Sequence, residues 1–240
     1  MTQREAAIQQ LKALKGKPLK DKLKHIFTYY KLPIIAIVLV VMIAVSFVSQ
    51  LASAKHTVLH VYCLDALVAQ DKEETFLLDI SQAVGIDQEK EQIEITAKQN
   101  PQDELYEGEA LAAQIMGGMI DVLALPEDIS LQWLYQDVFA DLSEMLTADQ
   151  LRAYEDMLLY VDGAVLEKMD HLSQQENPLQ FPDPTKPEEM EDPIPVAVRV
   201  LDGSEFSDIF FSNQQSVVIG IVANAPNSEN AVFFVDYVVE

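Results

Sequence analysis

Apolar and polar positions recur along the chain in three rhythms, and each rhythm predicts a different kind of element. Residues 32–54 (LPIIAIVLVVMIAVSFVSQLASA) carry no charge over 23 positions. As a helix that run reaches roughly 35 Å, enough for a hydrocarbon core of about 30 Å. After Lys55 the pattern shortens. Residues 57–64 (TVLHVYCL) are almost continuously apolar, as expected of a strand buried on both faces. Phe76, Leu77, Ile80, Ala83 and Val84 then share one face of a helix that Gly85 closes. Residues 92–97 alternate, with Ile93, Ile95 and Ala97 on one side, which predicts a strand with its other face in water. Asn100 and Pro101 open the next helix as N-cap and first helical residue. Its expected inner face is Leu105, Ala112, Ile115, Met116 and Met119. A second continuous strand covers 120–125.

This β-α-β-α-β succession predicts an α/β fold, a mainly parallel sheet with helices on both faces. The continuous strands belong at the centre and the alternating one at an edge, so the expected order is 2-1-3. Beyond Pro126 a short helix carries Trp133 and Leu134, and a turn covers 139–142. Thr147 and Gln150 form a capping box for a helix whose face is Leu151, Tyr154 and Leu158. A further helix is expected over 164–174. Residues 177–195 (NPLQFPDPTKPEEMEDPIP) are proline- and acid-rich and predict a loop. Strands at 195–201 and 216–223 return to the sheet. A last helix, capped near Asn227 or Ser228, turns Val232, Val235, Val238 and Val239 inward.

Charge divides the chain in the same places. Residues 1–31 hold eight Lys/Arg and two acids, or +6. The remaining 16 − 8 = 8 basic and 39 − 2 = 37 acidic residues give −29. The positive-inside rule then makes 1–31 a basic cytoplasmic segment, 32–54 a transmembrane helix and 55–240 an extracytoplasmic domain, a single-pass protein of the cell membrane. Tyr29 and Tyr30 stand where an interfacial aromatic belt forms. A cleaved signal peptide is the competing reading, since Ala52-Ser53-Ala54 fits a small-residue cleavage site, but the apolar run exceeds the usual 7–15-residue core of such peptides. The basic leader, with Ile8, Leu11 and Leu14 at helical spacing, fits attraction to anionic lipids or an orientation signal alone. Nucleic acid is an unsuitable partner for so acidic a domain. The one cysteine, Cys63, falls inside a predicted strand and reads as a small buried hydrophobe.

Two segments bear a family likeness. IMGGMIDVLALPEDISLQWLYQDVFADLSEML, at 115–146, resembles extracellular solute-binding proteins of the type II periplasmic-binding fold, in which an aspartate opens an apolar strand and a short helix follows. DVFADL, at 137–142, fits their next turn, with Asp137 where glycine is usual. The terminal VVIGIVANAPNSENAVFFVDYVV is similar to the family's return of strand and helix onto the first lobe. KLKHIFTYYKLPII resembles the anchor of small membrane-tethered Gram-positive relatives. The likeness covers 57–158 and 195–239. It implies one lobe plus an abbreviated cap, because about 60 residues separate Leu151 from the strand near Ser216, too few for a full second lobe.

No hydrolase, zinc-protease, phosphate-loop or Cys-x-x-Cys signature occurs, so neither an enzyme nor a cofactor is expected. His56 and His60, four apart on a strand, lie roughly 13 Å apart and make no metal pair. The acids at 188–192 read as a solvated loop. Ligands of open α/β sheets gather outside the carboxyl ends of the strands. That rule selects Asp65 after the first strand, Gln99 and Asn100 after the second, and Glu127 and Asp128 after the third. Asn100 doubles as a helix cap, and Glu127 and Asp128 complement a helix N-terminus, where they disfavour an anionic ligand. Tyr135 is the aromatic expected to be exposed for stacking, and Trp133 the one expected in the core. The function these features predict is non-covalent recognition of a neutral or cationic small molecule, with a transporter permease or another membrane protein as partner. The alternative is a structural or interaction subunit that has lost its ligand.

Overall fold

The computed structural model describes residues 31–53, 55–98, 104–171, 181–201, 203–211 and 216–239. The basic leader at 1–30, the cleavage motif's Ala54, and Gln99, Asn100 and Pro101 lie outside the described residues. The chain divides into two units, Met1–Ala54 and Lys55–Glu240.

The first unit contains helix α1, Lys31–Ser53. Its side chains are described over 32–47, 16 residues, and nearly all of them are exposed around the whole circumference. Among the described residues no helix is long and apolar enough to cross a membrane.

The second unit is built on one six-stranded sheet. Its strands are β1 (His56–Leu64), β2 (Glu91–Lys98), β3 (Val122–Pro126), β4 (Leu158–Asp162), β5 (Pro193–Leu201) and β6 (Ser216–Ile221), in the order β2-β1-β3-β6-β5-β4. β1 runs parallel to β2 and β3, which realises the predicted 2-1-3 order. The three remaining pairings, β3–β6, β6–β5 and β5–β4, are antiparallel. The sheet is therefore mixed rather than mainly parallel. The expected cap is also replaced: residues 158–201 supply two more strands of the same sheet.

Side chains alternate between the two faces, and each face carries its own core. Leu59, Val61, Cys63, Val122, Ala124, Val217 and Ile219 point one way. There they meet α2 (Gln70–Val84), α8 (Glu205–Phe210) and α9 (Ser228–Val239), through Phe76, Phe206, Phe210 and Phe234. Phe206 contacts Phe76, Phe210, Phe211 and Phe234 with ring centroids 5.0–6.0 Å apart. Tyr62, Leu123, Leu125, Val218 and Val222 point the other way, toward α3 (Glu104–Met116), α4 (Glu127–Leu134) and α7 (Gly163–His171). Burial, and secondarily the charge of Glu73, pushes the Cys63 thiol far above its ordinary range, so it packs as an inert apolar group.

Several local signals produce the elements they predict. Gly85 closes α2 in the left-handed conformation. Thr147 and Gln150 form the expected capping box on α6 (Ala148–Ala153), which follows the single turn α5 (Leu142–Met145). The helix stops at Ala153, however, and Leu158 begins β4. β5 starts two residues earlier than its pattern implies, at Pro193. Pro193 and Pro195 face only β4, because β6 pairs no further than Val198, so neither proline interrupts a two-sided ladder.

The acidic loop at 181–192 is ordered by one aspartate. Asp162, buried at the end of β4, accepts from the backbone N–H of Ala164, Glu191 and Asp192 at 3.0–3.1 Å. Tyr160 N–H donates to the Pro184 carbonyl, so the loop covers the edge of β4. Burial opposes ionisation of Asp162, but the three N–H donors outweigh it and hold the carboxyl below its ordinary value. A depressed carboxyl stabilises the fold above the unfolded value of about 3.9 and loses that effect as pH falls through the folded one. Asp162→Asn is therefore expected to cost roughly 2 kcal/mol at pH 7. Its melting temperature should converge on that of the wild type in acid. A constant gap across the pH range would refute this assignment.

Candidate functional site

The most built-up region lies at the amino edge of β3, opposite the edge that the strand-end rule selects. α3 arrives there and must turn sharply. Gly117 N–H donates to Ala113, Gly118 N–H to Ile115 and Met119 N–H to Gln114, and Gly118 takes φ +61°. That left-handed residue is where a Cβ is costly, which explains glycine at the turn.

Asp121 follows, 1% exposed, and accepts three hydrogen bonds. His60 N–H and Asn227 N–H each donate at 2.8 Å, and the Asn227 amide donates at 3.0 Å. Thus β1, β3 and the entry to α9 meet on one carboxylate. His60 is fixed as well. Its Nδ1 lies 2.6 Å from the Met119 carbonyl, which can only accept, so Nδ1 carries the proton and Nε2 faces the Thr96 hydroxyl at 3.0 Å. Asn224, in the turn after β6, donates its amide to the Ile115 carbonyl at 2.9 Å and ties that turn to the end of α3.

Beside this framework, and sharing Ile115 and Asn224 with it, lies an open groove of about 620 Å³. Gly108, Ala112 and Met116 of α3 form one wall, Trp133 and Val138 the other, and Asn224 the end. A second concavity of about 590 Å³ adjoins it through the shared residues Gln136 and Asp137, and reaches Leu166, Glu167 and Met169 of α7. Asp137 has φ +55°, so an aspartate occupies a conformation that favours glycine. A third concavity, about 460 Å³, lies between α8 and α9 on the opposite face.

Of the two aromatics, Trp133 packs against the core with only part of its surface, and Tyr135 is buried instead of exposed. Trp133 is half-buried and lines the groove. Tyr135 is 2% exposed, stacks on Phe181 at 4.5 Å and accepts from Asp162 N–H at 3.3 Å. The helical offset that would turn Tyr135 outward fails because α4 ends at Leu134 and Tyr135 is already its C-cap. Met116 and Met119, expected in the core, are 77% and 62% exposed, while Leu111 is buried; the side chain of Leu105, also expected inside, lies outside the described residues.

At the carboxyl edge, Asp65 follows β1 with φ +53° and is half-buried. Glu127 opens α4 and pairs with Arg199 at 3.3 Å, and Asp128 beside it is exposed. These three acids line none of the three concavities. Glu127 and Asp128 occupy the first turn of α4, as expected. The groove residues were not singled out from the sequence as a site. The available signal was the small residues Gly108 and Ala112, one helical turn apart on α3.

Comparisons of the chain with protein-family models, with curated proteins and with solved structures return no match.

Proposed function

We propose that the chain is a membrane-anchored, non-catalytic recognition module whose domain, outside the membrane, binds a neutral or cationic ligand without covalent chemistry. The observation that carries this reading is the groove between α3 and α4, mostly apolar, with a tryptophan on its wall and the Asp137 carboxylate at its rim. A desolvated apolar floor supplies affinity, and a few polar groups at the rim orient what binds. The anchor is supported by the uncharged run 32–54 and by the apolar side chains exposed all around α1. The basic excess before that run supports an N-terminus in the cytoplasm. The α/β order of β1, β2 and β3 agrees with a solute-binding lobe of the type II periplasmic-binding kind.

A second reading, a protein-interaction subunit of a membrane assembly, is favoured by one feature. Residues 158–201 extend the single sheet, so among the described residues no second lobe faces the first to close over a solute.

Trp133 is the only tryptophan in the chain, so its emission reports the groove directly. Full-length protein in an uncharged detergent is to be titrated with sugars, amino acids, short peptides and cations. A true ligand shifts Trp133 emission saturably and raises the melting temperature by mass action, about 2.7 kcal/mol at a hundredfold excess over Kd. Silence across the whole panel would overturn recognition, and a mature chain beginning at Lys55 would overturn the anchor.

A further inference from the structure

We propose that the trough at the amino edge of the sheet seats a basic amphipathic helix of a partner protein. This inference rests on the recognition reading and names its ligand. Shape is the first argument. The two concavities share Gln136 and Asp137 and run from α3 to α7, and together they exceed the roughly 300–1,000 Å³ of an ordinary small-molecule pocket.

The wall texture is the second. Gly108 and Ala112 stand one turn apart, and a Cβ placed on Gly108 would have nothing within 4 Å, so a second helix can approach the α3 backbone closely. Met116 in the groove wall and Met119 just beyond it continue the apolar strip with exposed, flexible side chains that adapt to a partner's surface. Exposed apolar strips of this kind mark macromolecular contacts.

Charge selects the occupant. Among the described residues lining the trough there is no lysine or arginine. Asp137 stands at its middle and Glu167 at its far end. The nearest base in sequence, Lys168, is engaged with Glu191 at 4.0 Å. A helix with an apolar stripe for the floor and lysines or arginines for the rim complements both features, in the helix-in-groove mode. A second copy of the chain is disfavoured by self-repulsion, since each domain carries −29, and an anionic lipid surface is disfavoured for the same reason.

The test uses full-length protein in an uncharged detergent and three tryptophan-free peptides of about five helical turns. One has leucine and lysine at helical period, one has glutamate in place of lysine, and one has the first composition rearranged to remove the apolar stripe. Only the first is expected to shift Trp133 emission saturably. Ala112→Arg, on the exposed face of α3, should weaken that binding at least tenfold with the melting temperature unchanged. Asp137→Asn, which keeps a side chain tolerant of positive φ, should weaken it several-fold and flatten its salt dependence. Equal binding of the acidic or rearranged peptide, or undiminished binding by Ala112→Arg, overturns the inference. If that happens while another member of the ligand panel still moves Trp133, recognition stands without this partner. If every probe is silent, both fall.

Discussion

Replacing Gly220 by valine is expected to lower the melting temperature by about 10 °C, because Gly220 is where Phe139 crosses the sheet. A Cβ on Gly220 would fall within 3.0 Å of three atoms of the Phe139 ring. That ring is buried on the α4 face. Its backbone is held on both sides by the Ala140 N–H to the Ile221 carbonyl, 2.8 Å, and the Ala223 N–H to the Val138 carbonyl, 2.9 Å. Overpacking alone costs about 1–3 kcal/mol. Expelling part of a phenylalanine whose full truncation costs about 3–5 kcal/mol adds to it. A total of roughly 3–5 kcal/mol follows, at about 2–4 °C per kcal/mol for a domain of this size. The check is a double-mutant cycle. Phe139→Ala should cost at least about 2 kcal/mol less in the Gly220→Val background than in the wild type. Additivity within about 0.5 kcal/mol would show that the ring and the glycine are not in contact.

Position 220 also shows why part of this fold is legible in sequence and part is not. β1, β2 and β3 can be read from texture because parallel strands at a sheet centre are apolar on both faces, whereas β2 alternates at the edge. Caps are equally local, as Gly85, Gly118 and the Thr147–Gln150 box illustrate. The run LLYVD of β4 is too short for its period to be decided, and Leu151, Tyr154 and Leu158 happen to fall at helical spacing. Only the long-range pairing with β5 makes Leu158 a strand residue. α8 is a single turn and a half. Its signal, Ser204 capping the N–H of Ser207 ahead of Phe206, Ile209 and Phe210, was present but short. The candidate site is less legible than the fold. Strand-end reasoning leads to Asp65, Glu127 and Asp128, where charge is matched internally by Arg199 for one of them. The groove forms at the opposite edge, from the exposed side of α3 and the end of α4. No local pattern reveals that Trp133 and Asn224 will line the same groove.

Loss of Asp121 should be the most damaging single polar change, and it should be felt in the groove. Asp121→Ala strands the His60 N–H, the Asn227 N–H and the Asn227 amide. The buried His60 N–H left unsatisfied costs about 1–3 kcal/mol, and the two donors of half-buried Asn227, which water can reach, cost less each, so a loss of roughly 3 kcal/mol is expected, or about 6–12 °C. Asp121→Asn keeps the volume but turns an NH2 toward donors, and should cost about half as much. Stability alone would not separate this network from any other buried one. The position of Asn227 does. Released from the Asp121 carboxylate, the turn from Ala223 to Asn227 keeps the Val222 N–H on the residue 121 carbonyl at one end but loses its anchor at Asn227, which loosens the hold of Asn224 on the Ile115 carbonyl at the groove wall. Trp133 emission in the folded Asp121→Asn protein should therefore shift toward that of exposed tryptophan, and ligand affinity should fall even where the protein is fully folded. An unchanged Trp133 spectrum in that variant would mean that the carboxylate holds β1 to α9 without shaping the groove.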